Sequence, residues 1–242
     1  MKPPIYEPKG KAKEYGDLAL NIYTGCTHGC YYCFAPSVLH KTKEAFSTNV
    51  MPRVGIIEAV KLQLNKEQLT GKMIHLCFTC DPYPALVDTT ATREIIKLLK
   101  ESGNHVQILT KGGQIAQRDF DLLDSGDRFG VTITPSGGEN VYEHDAEPLA
   151  TDNASRYWNA MCASNSGIKA WISFEPVLSD KAVLAELEAV HSEFDVKIGK
   201  LNYHQSNINW NDFGHKAEEI CKRRGLNYYI KDSLRAEMER SA

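Results

Sequence analysis

The sequence predicts an α/β fold, a partial (β/α)6 barrel of the TIM type with a cysteine-rich loop after the first strand. Short apolar runs alternate with helical patterns of about 10–15 residues, which indicates βαβ units and a parallel sheet. A doubly wound sheet fits the same alternation, and in both folds ligands bind beyond the carboxyl ends of the strands. Polar strand ends favour the barrel: Thr132 and Thr134, for example, share one face of their strand, as a ligand-filled cavity requires. The alternative is that such residues simply meet solvent where they leave the sheet.

Seven apolar runs are typical of strands, and six amphipathic runs are typical of helices. Thr89 or Thr90 is the expected cap of the second helix, and Gly103 and Gly225 are expected helix stops. The predicted strands are Leu18–Tyr23, Met73–Thr79, His105–Thr110, Phe129–Thr134, Lys169–Phe174, Val196–Leu201 and Leu226–Ile230. The predicted helices are 55–69, 89–101, 115–124, 152–164, 180–191 and 212–224.

Composition divides the chain into two parts. Residues 1–16 are rich in Pro, Lys and Gly and are predicted to form an extended arm, whereas residues 17–242 form the barrel domain. The net charge of −3 gives no global field that would attract nucleic acid, although a local basic groove is compatible with it. No apolar run approaches the length of a membrane span or a signal peptide, so we expect a cytoplasmic protein.

Seven cysteines are present, and three of them lie within eight residues. Such crowding in a cytosolic chain indicates metal binding or catalysis rather than disulfides. Cys26, Cys30 and Cys33 have the spacing C-x3-C-x2-C, and a loop of this length can wrap three corners of one cubane [4Fe–4S] cluster. No fourth cysteine follows at matching spacing, which would leave one iron open for a further ligand.

Two other metal sites fit the same loop. His28 would complete a four-ligand zinc site, although its position between the cysteines makes tetrahedral reach awkward. A low-potential electron carrier would use the same thiolates, but a fourth cysteine normally seals such a cluster.

The cysteine loop resembles the signature of the radical S-adenosylmethionine superfamily, C-x3-C-x-aromatic-C, with Tyr32 in the aromatic position. Three further blocks resemble the branch that contains spore photoproduct lyase and proteins named DNA repair photolyases. They are Tyr6–Gly10, Thr79–Pro84 with Thr92-Arg93, and Leu109–Lys111 with Arg118-Asp119. The resemblance covers residues from about 6 to 178.

This resemblance implies a reaction and a set of cofactors. S-adenosyl-L-methionine would bind the open iron of the [4Fe–4S] cluster, and an electron would cleave it to methionine and a 5′-deoxyadenosyl radical. That radical would abstract a hydrogen atom from the substrate, and a flavodoxin or ferredoxin is the expected electron donor. The protein's part is to position the reactants and exclude competing reactions.

The resemblance also assigns roles to polar residues at the strand ends. Thr79 and Asp81 would contact the methionine amino group, Lys111 would pair with its carboxylate, and Tyr32 would lie against the adenine. The Thr132 hydroxyl would also bind the cofactor, and Glu175 and Asn202 would bind ribose hydroxyls or adenine.

Cys80 is the candidate catalytic residue, because photoproduct lyases return a hydrogen atom to the product radical from a cysteine near this region. The hydrogen-donor cysteine of the lyase would align closer to Phe78, however. This chain therefore departs from the lyase pattern at Cys80. Cys77 and Cys80 are three residues apart on a predicted strand, so their side chains should point to opposite faces. Cys77 is then expected to be a small buried apolar residue.

Three classes of function remain open. The first is a radical enzyme acting on nucleic acid or a nucleotide, as a lyase of a DNA lesion or a base modifier. Aromatic residues such as Tyr203 and His204 would then stack a base, although a lid over the core is the favoured alternative for them. The second is a radical enzyme acting on a peptide or protein, like the glycyl-radical activases, against which the Thr79–Pro84 block argues. The third is a non-enzymatic iron–sulfur or zinc module.

Overall fold

The computed structural model describes residues 3–136 and 146–240. Residues 1–2 of the predicted arm, and 137–145 and 241–242 of the predicted barrel domain, lie outside this description. The strands are β1 (Ile5–Tyr6), β2 (Leu18–Leu20), β3 (Met73–Leu76), β4 (His105–Thr110), β5 (Arg128–Thr132), β6 (Lys169–Phe174), β7 (Asp195–Ile198) and β8 (Tyr228–Ile230). The α-helices are α1 (Ala35–Val38), α2 (Lys43–Ser47), α3 (Ile56–Glu67), α4 (Thr90–Glu101), α5 (Asn153–Asn165), α6 (Asp180–Ala189), α7 (Trp210–Arg224) and α8 (Asp232–Met238).

The eight strands form one sheet in the order in which they occur along the chain. Strands β2 to β8 pair in parallel, and β1 pairs antiparallel with β2 at one edge. A doubly wound sheet reverses its strand order at a switch point, and this order never reverses. Successive right-handed crossovers therefore place the helices on one face, and the sheet is a partial barrel as predicted.

The two faces of the sheet differ in character. Alternate residues such as Ile74, Leu76 and Ile108 are fully buried and join a hydrophobic core that includes residues of the surrounding helices. The intervening residues face the barrel interior, where Gln107 bonds His75 with the two nitrogens 3.0 Å apart. A Cβ on Gly130 would lie 2.1 Å from Trp171, so glycine is required there for the indole to fill the interior.

The N-terminal segment, residues 3–16, packs on the barrel instead of extending from it. Ile5 pairs with Leu20 in β1, and a 3-10 helix follows at Gly10–Glu14. Tyr15 then enters the barrel interior, where its ring centroid lies 5.5 Å from that of His75. The division of the chain into an arm and a barrel domain stays a prediction, although this segment supplies part of the barrel's filling.

Several elements differ from the predicted ones at their carboxyl ends. Strand β2 ends at Leu20, β3 at Leu76 and β7 at Ile198, each about three residues before its predicted end. The expected helix at 115–124 is a 3-10 helix, Gln114–Leu122. Within the described residues, every helix is too short or too polar to cross a membrane.

Candidate active site

A cavity of about 560 Å³ opens at the carboxyl ends of the parallel strands. The parallel register aligns these ends, since Leu20 pairs with Leu76, Leu76 with Ile108, and Phe174 with Ile198. Residues that follow these positions are therefore brought to one rim. The cavity wall contains all the predicted site residues: Cys26, Cys30, Tyr32, Cys33, Thr79, Cys80, Asp81, Lys111, Thr132, Glu175 and Asn202.

The cysteine loop turns tightly against the segment that follows it. Cys26 N–H donates to the Phe46 carbonyl at 3.2 Å, and a Cβ on Gly25 would lie 1.9 Å from that oxygen. Gly29 has φ of +72°, a left-handed conformation that favours glycine. The sequence at positions 25 and 29 thus permits the curl that aims three thiols at one cavity.

The thiols fit a cluster better than a single metal ion. Tetrahedral zinc holds its sulfur ligands about 3.8 Å apart, from Zn–S bonds of about 2.3 Å. Among the described residues, only His105, Asp124 and Asp127 have ligand atoms that all lie within 4.8 Å of one another. The loop cysteines and His28 do not form such a group, whereas thiolates bound to separate iron atoms of a cluster need not lie so close together.

Burial keeps these thiols protonated when no cation is near. It raises the pKa of Cys30 to about 12, although the Lys111 ammonium opposes the shift. It also raises the pKa of Cys33, and that of Cys26 well above its ordinary value. A cationic cluster would supply the positive charge that deprotonates such groups.

Asp81 joins three parts of the site. Its carboxylate accepts hydrogen bonds from the Thr110 hydroxyl at 2.6 Å, Tyr83 N–H at 2.8 Å and Lys111 N–H at 2.9 Å. His28 Nδ1 lies 3.6 Å from the second oxygen. The predicted contact of Asp81 with the methionine amino group stays a prediction, and most of its acceptor capacity serves the protein itself.

Near Asp81, Thr79 has a hydroxyl group without a hydrogen-bond partner among the described residues. Its backbone N–H donates to Asn21 Oδ1 at 2.8 Å, which fixes the turn after β3. Its hydroxyl is buried and has no hydrogen-bond partner among the described residues. A buried hydroxyl without a partner is uncommon, and a polar ligand group in the cavity would satisfy it.

Lys111, Tyr32 and a buried ion pair form the side of the cavity next to the cysteine loop. Lys111 Nζ lies 5.6 Å from the Tyr32 ring centroid and 3.9 Å from Glu147 Oε1. Glu147 accepts hydrogen bonds from Tyr32, Arg156 and Thr134, the last at 2.7 Å. Burial raises the pKa of Glu147 and lowers that of Lys111.

Sequence analysis missed Glu147 and Arg156, because neither belongs to a motif and they are nine positions apart. Arg156 is only 2% exposed and also donates to the Thr132 carbonyl at 3.0 Å, at the end of β5. A buried arginine on an otherwise ordinary helix leaves no sequence signal. Through hydrogen bonds to the Thr132 carbonyl and to Glu147, Arg156 connects the predicted site residue Thr132 to the cysteine-loop side of the cavity.

Glu175 and Asn202 lie where the N-terminal segment lines the cavity. Glu175 accepts from Tyr15 OH at 2.8 Å, Lys231 Nζ at 2.5 Å and Asn202 Nδ2 at 3.2 Å. Lys11 Nζ in turn donates to Asn202 Oδ1 at 2.5 Å. The predicted ribose or adenine contacts of these two residues stay predictions.

The expected separation of Cys77 and Cys80 is wrong. Strand β3 ends at Leu76, and Cys77 has φ of +70°, so the segment is no longer extended. The two thiols interact directly instead of pointing to opposite faces. Cys77 is buried, as expected, and both residues line the cavity.

The rim of the cavity carries exposed aromatic rings. Tyr203 is 77% and Phe34 is 44% exposed, and Lys11 Nζ lies 5.3 Å from the Tyr203 ring centroid. Tyr31 meets His204 edge to face across the rim, with ring centroids 5.5 Å apart. Rings and ammonium groups are thus interleaved at the entrance.

No known protein-family model matches the chain. An uncharacterized protein of Acidianus two-tailed virus is 24% identical over 208 residues, which is 78% of this chain and 68% of that protein. Uncharacterized proteins of Mycobacterium bovis and Mycobacterium tuberculosis are 25% identical over 168 residues, 66% of this chain and 49% of theirs. The chain therefore spans about half the length of the mycobacterial relatives.

Solved structures are more informative. A spore photoproduct lyase variant with bound AdoMet and dinucleoside spore photoproduct superposes with a TM-score of 0.69, at 13% identity over 93% of this chain and 78% of the lyase. The chain has the fold of spore photoproduct lyase. SuiB from Streptococcus suis superposes with a TM-score of 0.66, at 11% identity over 91% of this chain and 51% of SuiB. Spore photoproduct lyase and SuiB are radical S-adenosylmethionine enzymes, so the predicted partial-barrel fold is confirmed.

Proposed function

We propose that this chain is a radical S-adenosylmethionine enzyme whose [4Fe–4S] cluster is held by Cys26, Cys30 and Cys33. One observation carries the proposal: the three thiols of the loop line one cavity together with all the predicted cofactor contacts. When bound, the cluster and S-adenosyl-L-methionine supply a 5′-deoxyadenosyl radical that abstracts a hydrogen atom from the substrate.

The residues around the thiols then bind and orient the cofactor. The unpartnered Thr79 hydroxyl accepts from the methionine amino group, and Lys111 Nζ turns from Glu147 to the methionine carboxylate. Tyr32 lies against the adenine, held by its hydrogen bond to Glu147. Such preset positions lower the entropy lost when the reactants meet.

The remaining contacts complete the cofactor site. The Thr132 hydroxyl also binds the cofactor, Glu175 and Asn202 bind the ribose or adenine, and Asp81 fixes the loops that carry Thr79 and Lys111. The N-terminal segment closes this side through Tyr15 and restricts the entry of water. Cys80 faces the cavity and returns a hydrogen atom to the product radical.

We further propose a nucleic acid or nucleotide substrate, with a lyase reaction on a DNA lesion as the leading example. Exposed Phe34 and Tyr203 offer stacking surfaces, and Lys9, Lys11 and Lys200 line the same cavity. The charge of the whole chain is −3, so contact with phosphates is local to this entrance.

Anaerobic reconstitution tests the enzyme class. The protein loaded with iron and sulfide, then given dithionite and S-adenosyl-L-methionine, should release 5′-deoxyadenosine. Cys30→Ala should lose the cluster absorbance and this product, whereas Cys162→Ala, on α5 and away from the cavity, should keep both. A loaded wild-type protein that releases no 5′-deoxyadenosine would leave only a metal-binding module. Replacing dithionite with a reduced flavodoxin or ferredoxin tests the expected electron donor.

Isotope transfer tests the substrate class. Deuterated single-stranded oligonucleotides, with and without a thymine photolesion, should pass deuterium to 5′-deoxyadenosine in the proposed reaction. Tyr203→Ala should raise the KM for the oligonucleotide and leave cofactor cleavage without substrate unchanged. Deuterium transfer from a labelled peptide, and none from any oligonucleotide, would instead favour a peptide-modifying enzyme.

A further inference from the structure

The segment that follows β3 holds two cysteines in a pinned turn. Cys77 N–H donates to the Leu20 carbonyl at 2.8 Å, and Asn21 Oδ1 accepts from the N–H groups of Phe78 and Thr79, both at 2.8 Å. The chain bends at each of residues 78–80. These contacts come from the preceding strand and its loop, so the turn is fixed by its neighbours rather than by its own sequence.

Cys77 has a backbone conformation that few residues adopt. Its φ of +70° lies in the left-handed region, where a side chain other than glycine is strained by about 1–2 kcal/mol. Such strain persists only where the surrounding structure imposes it, and it is concentrated at functional sites. Here it brings the sulfur of Cys77 to that of Cys80, which an extended strand would have kept apart.

The two sulfurs occupy unequal environments. Burial raises the pKa of Cys77 well above its ordinary value, and contact with Cys80 adds to the shift. Burial acts on Cys80 in the same direction, but hydrogen bonds from Cys77 and from the Tyr23 N–H, with the charge of Arg53, outweigh it and lower its pKa. The thiolate form is therefore more favourable at Cys80 than at Cys77.

Access also differs between the two. Cys77 is 6% exposed, Cys80 is half-buried, and both belong to the cavity wall. Neither belongs to the C-x3-C-x2-C loop. The remaining cysteines, Cys162 and Cys221, lie on α5 and α7 and neither lines the cavity.

We infer that Cys77 and Cys80 form a dithiol–disulfide pair on the cavity wall, with Cys80 as the attacking thiol and Cys77 as the resolving thiol. The inference rests on the contact between the sulfurs, the pinned turn and the shared cavity, and the pair itself does not depend on radical chemistry. A small disulfide such as glutathione disulfide is the oxidant.

Exchange proceeds in two balanced steps. The Cys80 thiolate attacks one sulfur of glutathione disulfide, which breaks that bond, forms a mixed disulfide and releases one glutathione thiolate. Cys77 then gives its proton to that thiolate and attacks the Cys80 sulfur, which releases the second glutathione thiolate. Two cysteine thiols are oxidised to one disulfide, and one glutathione disulfide is reduced to two glutathione molecules.

Oxidation of the pair has a consequence for the proposed reaction. A disulfide leaves no thiol at the cavity wall, so Cys80 cannot return a hydrogen atom. This consequence of oxidation rests on the proposed function. In the oxidised protein, S-adenosyl-L-methionine cleavage should continue while formation of the repaired product is lost.

Peptide mapping tests the pair directly. The cluster-loaded protein is equilibrated without oxygen in glutathione buffers of increasing oxidised fraction, quenched with N-ethylmaleimide and digested with trypsin. The peptide Met73–Arg93 contains Cys77 and Cys80 and no other cysteine. It should pass from two maleimide additions to none, with a mass lower by two hydrogen atoms than the reduced peptide.

Two controls accompany this measurement. Cys162 and Cys221 should stay alkylated in the same samples, which excludes general oxidation. In Cys77→Ser, Cys80 should instead be captured as a stable mixed disulfide with glutathione. Wild-type Met73–Arg93 that stays doubly alkylated, or that retains glutathione, would overturn the inference. Cluster absorbance recorded in parallel separates that result from a failure of the proposed function.

Discussion

Lys197 is a charged side chain in the barrel interior. Its Nζ lies 4.4 Å from the ring centroid of Tyr15 and 5.2 Å from that of Trp171, and it donates to the Glu14 carbonyl at 2.9 Å. Burial lowers the pKa of Lys197 to about 8, and the charge of Lys231 adds to the shift. The amine therefore titrates in the folded protein at a pH where an exposed lysine stays protonated.

This shift predicts a pH dependence of stability. Because an unfolded lysine has a pKa of about 10.4, the unfolded chain binds more protons than the folded one between about pH 8 and 10. The free energy of unfolding of wild type relative to Lys197→Met should therefore rise between pH 7.5 and 9.5. After allowance for partial solvent screening we expect about 1 kcal/mol, measured by urea unfolding.

The same comparison with an exposed lysine provides the control. Lys61, on the surface of α3, should show no such rise when it is replaced by methionine. Buried tyrosines and cysteines also titrate at high pH, but they are common to all three proteins and cancel in the difference. A flat difference for Lys197→Met would mean that its amine is solvated.

At the scale of single residues, the sequence predicts the location of side chains that belong to a local motif. The spacing of Cys26, Cys30 and Cys33 is sufficient to place three thiols on one cavity, because the loop is local. The contact between Cys77 and Cys80 was predicted wrongly, since a left-handed backbone at a non-glycine residue leaves no trace in the sequence. Contacts between buried side chains that are far apart in the chain decide where each strand-end residue points. The sequence alone does not predict those contacts either.

The N-terminal segment is held to the barrel by a buried ion cluster. Lys231 is 3% exposed, and its Nζ lies 3.2 Å from Glu14 Oε2 and 2.5 Å from Glu175 Oε2. The side chains of the two glutamates are 7% and 16% exposed. One ammonium thus pairs with two largely buried carboxylates, one from the N-terminal segment and one from the residue after β6.

Removal of this ammonium should be costly. Lys231→Met leaves Glu14 and Glu175 buried without their cation, and breaking a buried ion pair in this way costs about 3–5 kcal/mol. Urea unfolding of the cluster-free protein gives the value. Lys216→Met, which removes an exposed pair with Asp212 on α7, should cost less than about 1 kcal/mol. Equal costs for the two variants would contradict the buried cluster.

Elements were predicted well where they are long. Strand β4 and strand β6 have their predicted bounds, because six apolar or alternating residues give a clear period. Strand β1 was missed because two residues contain no period, and only its pairing with β2 makes it a strand. The position of Tyr15 in the interior follows from that pairing and from Lys231, neither of which local sequence describes.

At the scale of the whole molecule, cofactor binding should stabilise the fold. A ligand at 100 times its Kd adds about 2.7 kcal/mol to the free energy of unfolding. For a chain of this length that corresponds to a Tm about 5–10 °C higher. Calorimetry of the cluster-loaded protein with S-adenosyl-L-methionine should show this shift. Cys30→Ala should show little of it, and an equal shift in both would place the ligand away from the thiols.

The sequence pattern predicted an α/β fold, but it did not decide between the two sheet architectures that fit it. Alternating strands and helices fit both a barrel and a doubly wound sheet, and polar strand ends such as Thr132 only favoured the first. The strand order decides the matter, and that order depends on contacts between residues far apart in the chain.

The residues that line the cavity are translated at very different times. Its three thiols lie at positions 26 to 33, whereas Lys231, which also lines the cavity, is near the other end of the sequence. At about 5–20 residues per second, a ribosome exposes Cys33 roughly 10–40 s before Lys231. During that interval the thiols have no enclosing wall. For the proposed enzyme, iron and sulfide would therefore reach a finished site only after translation.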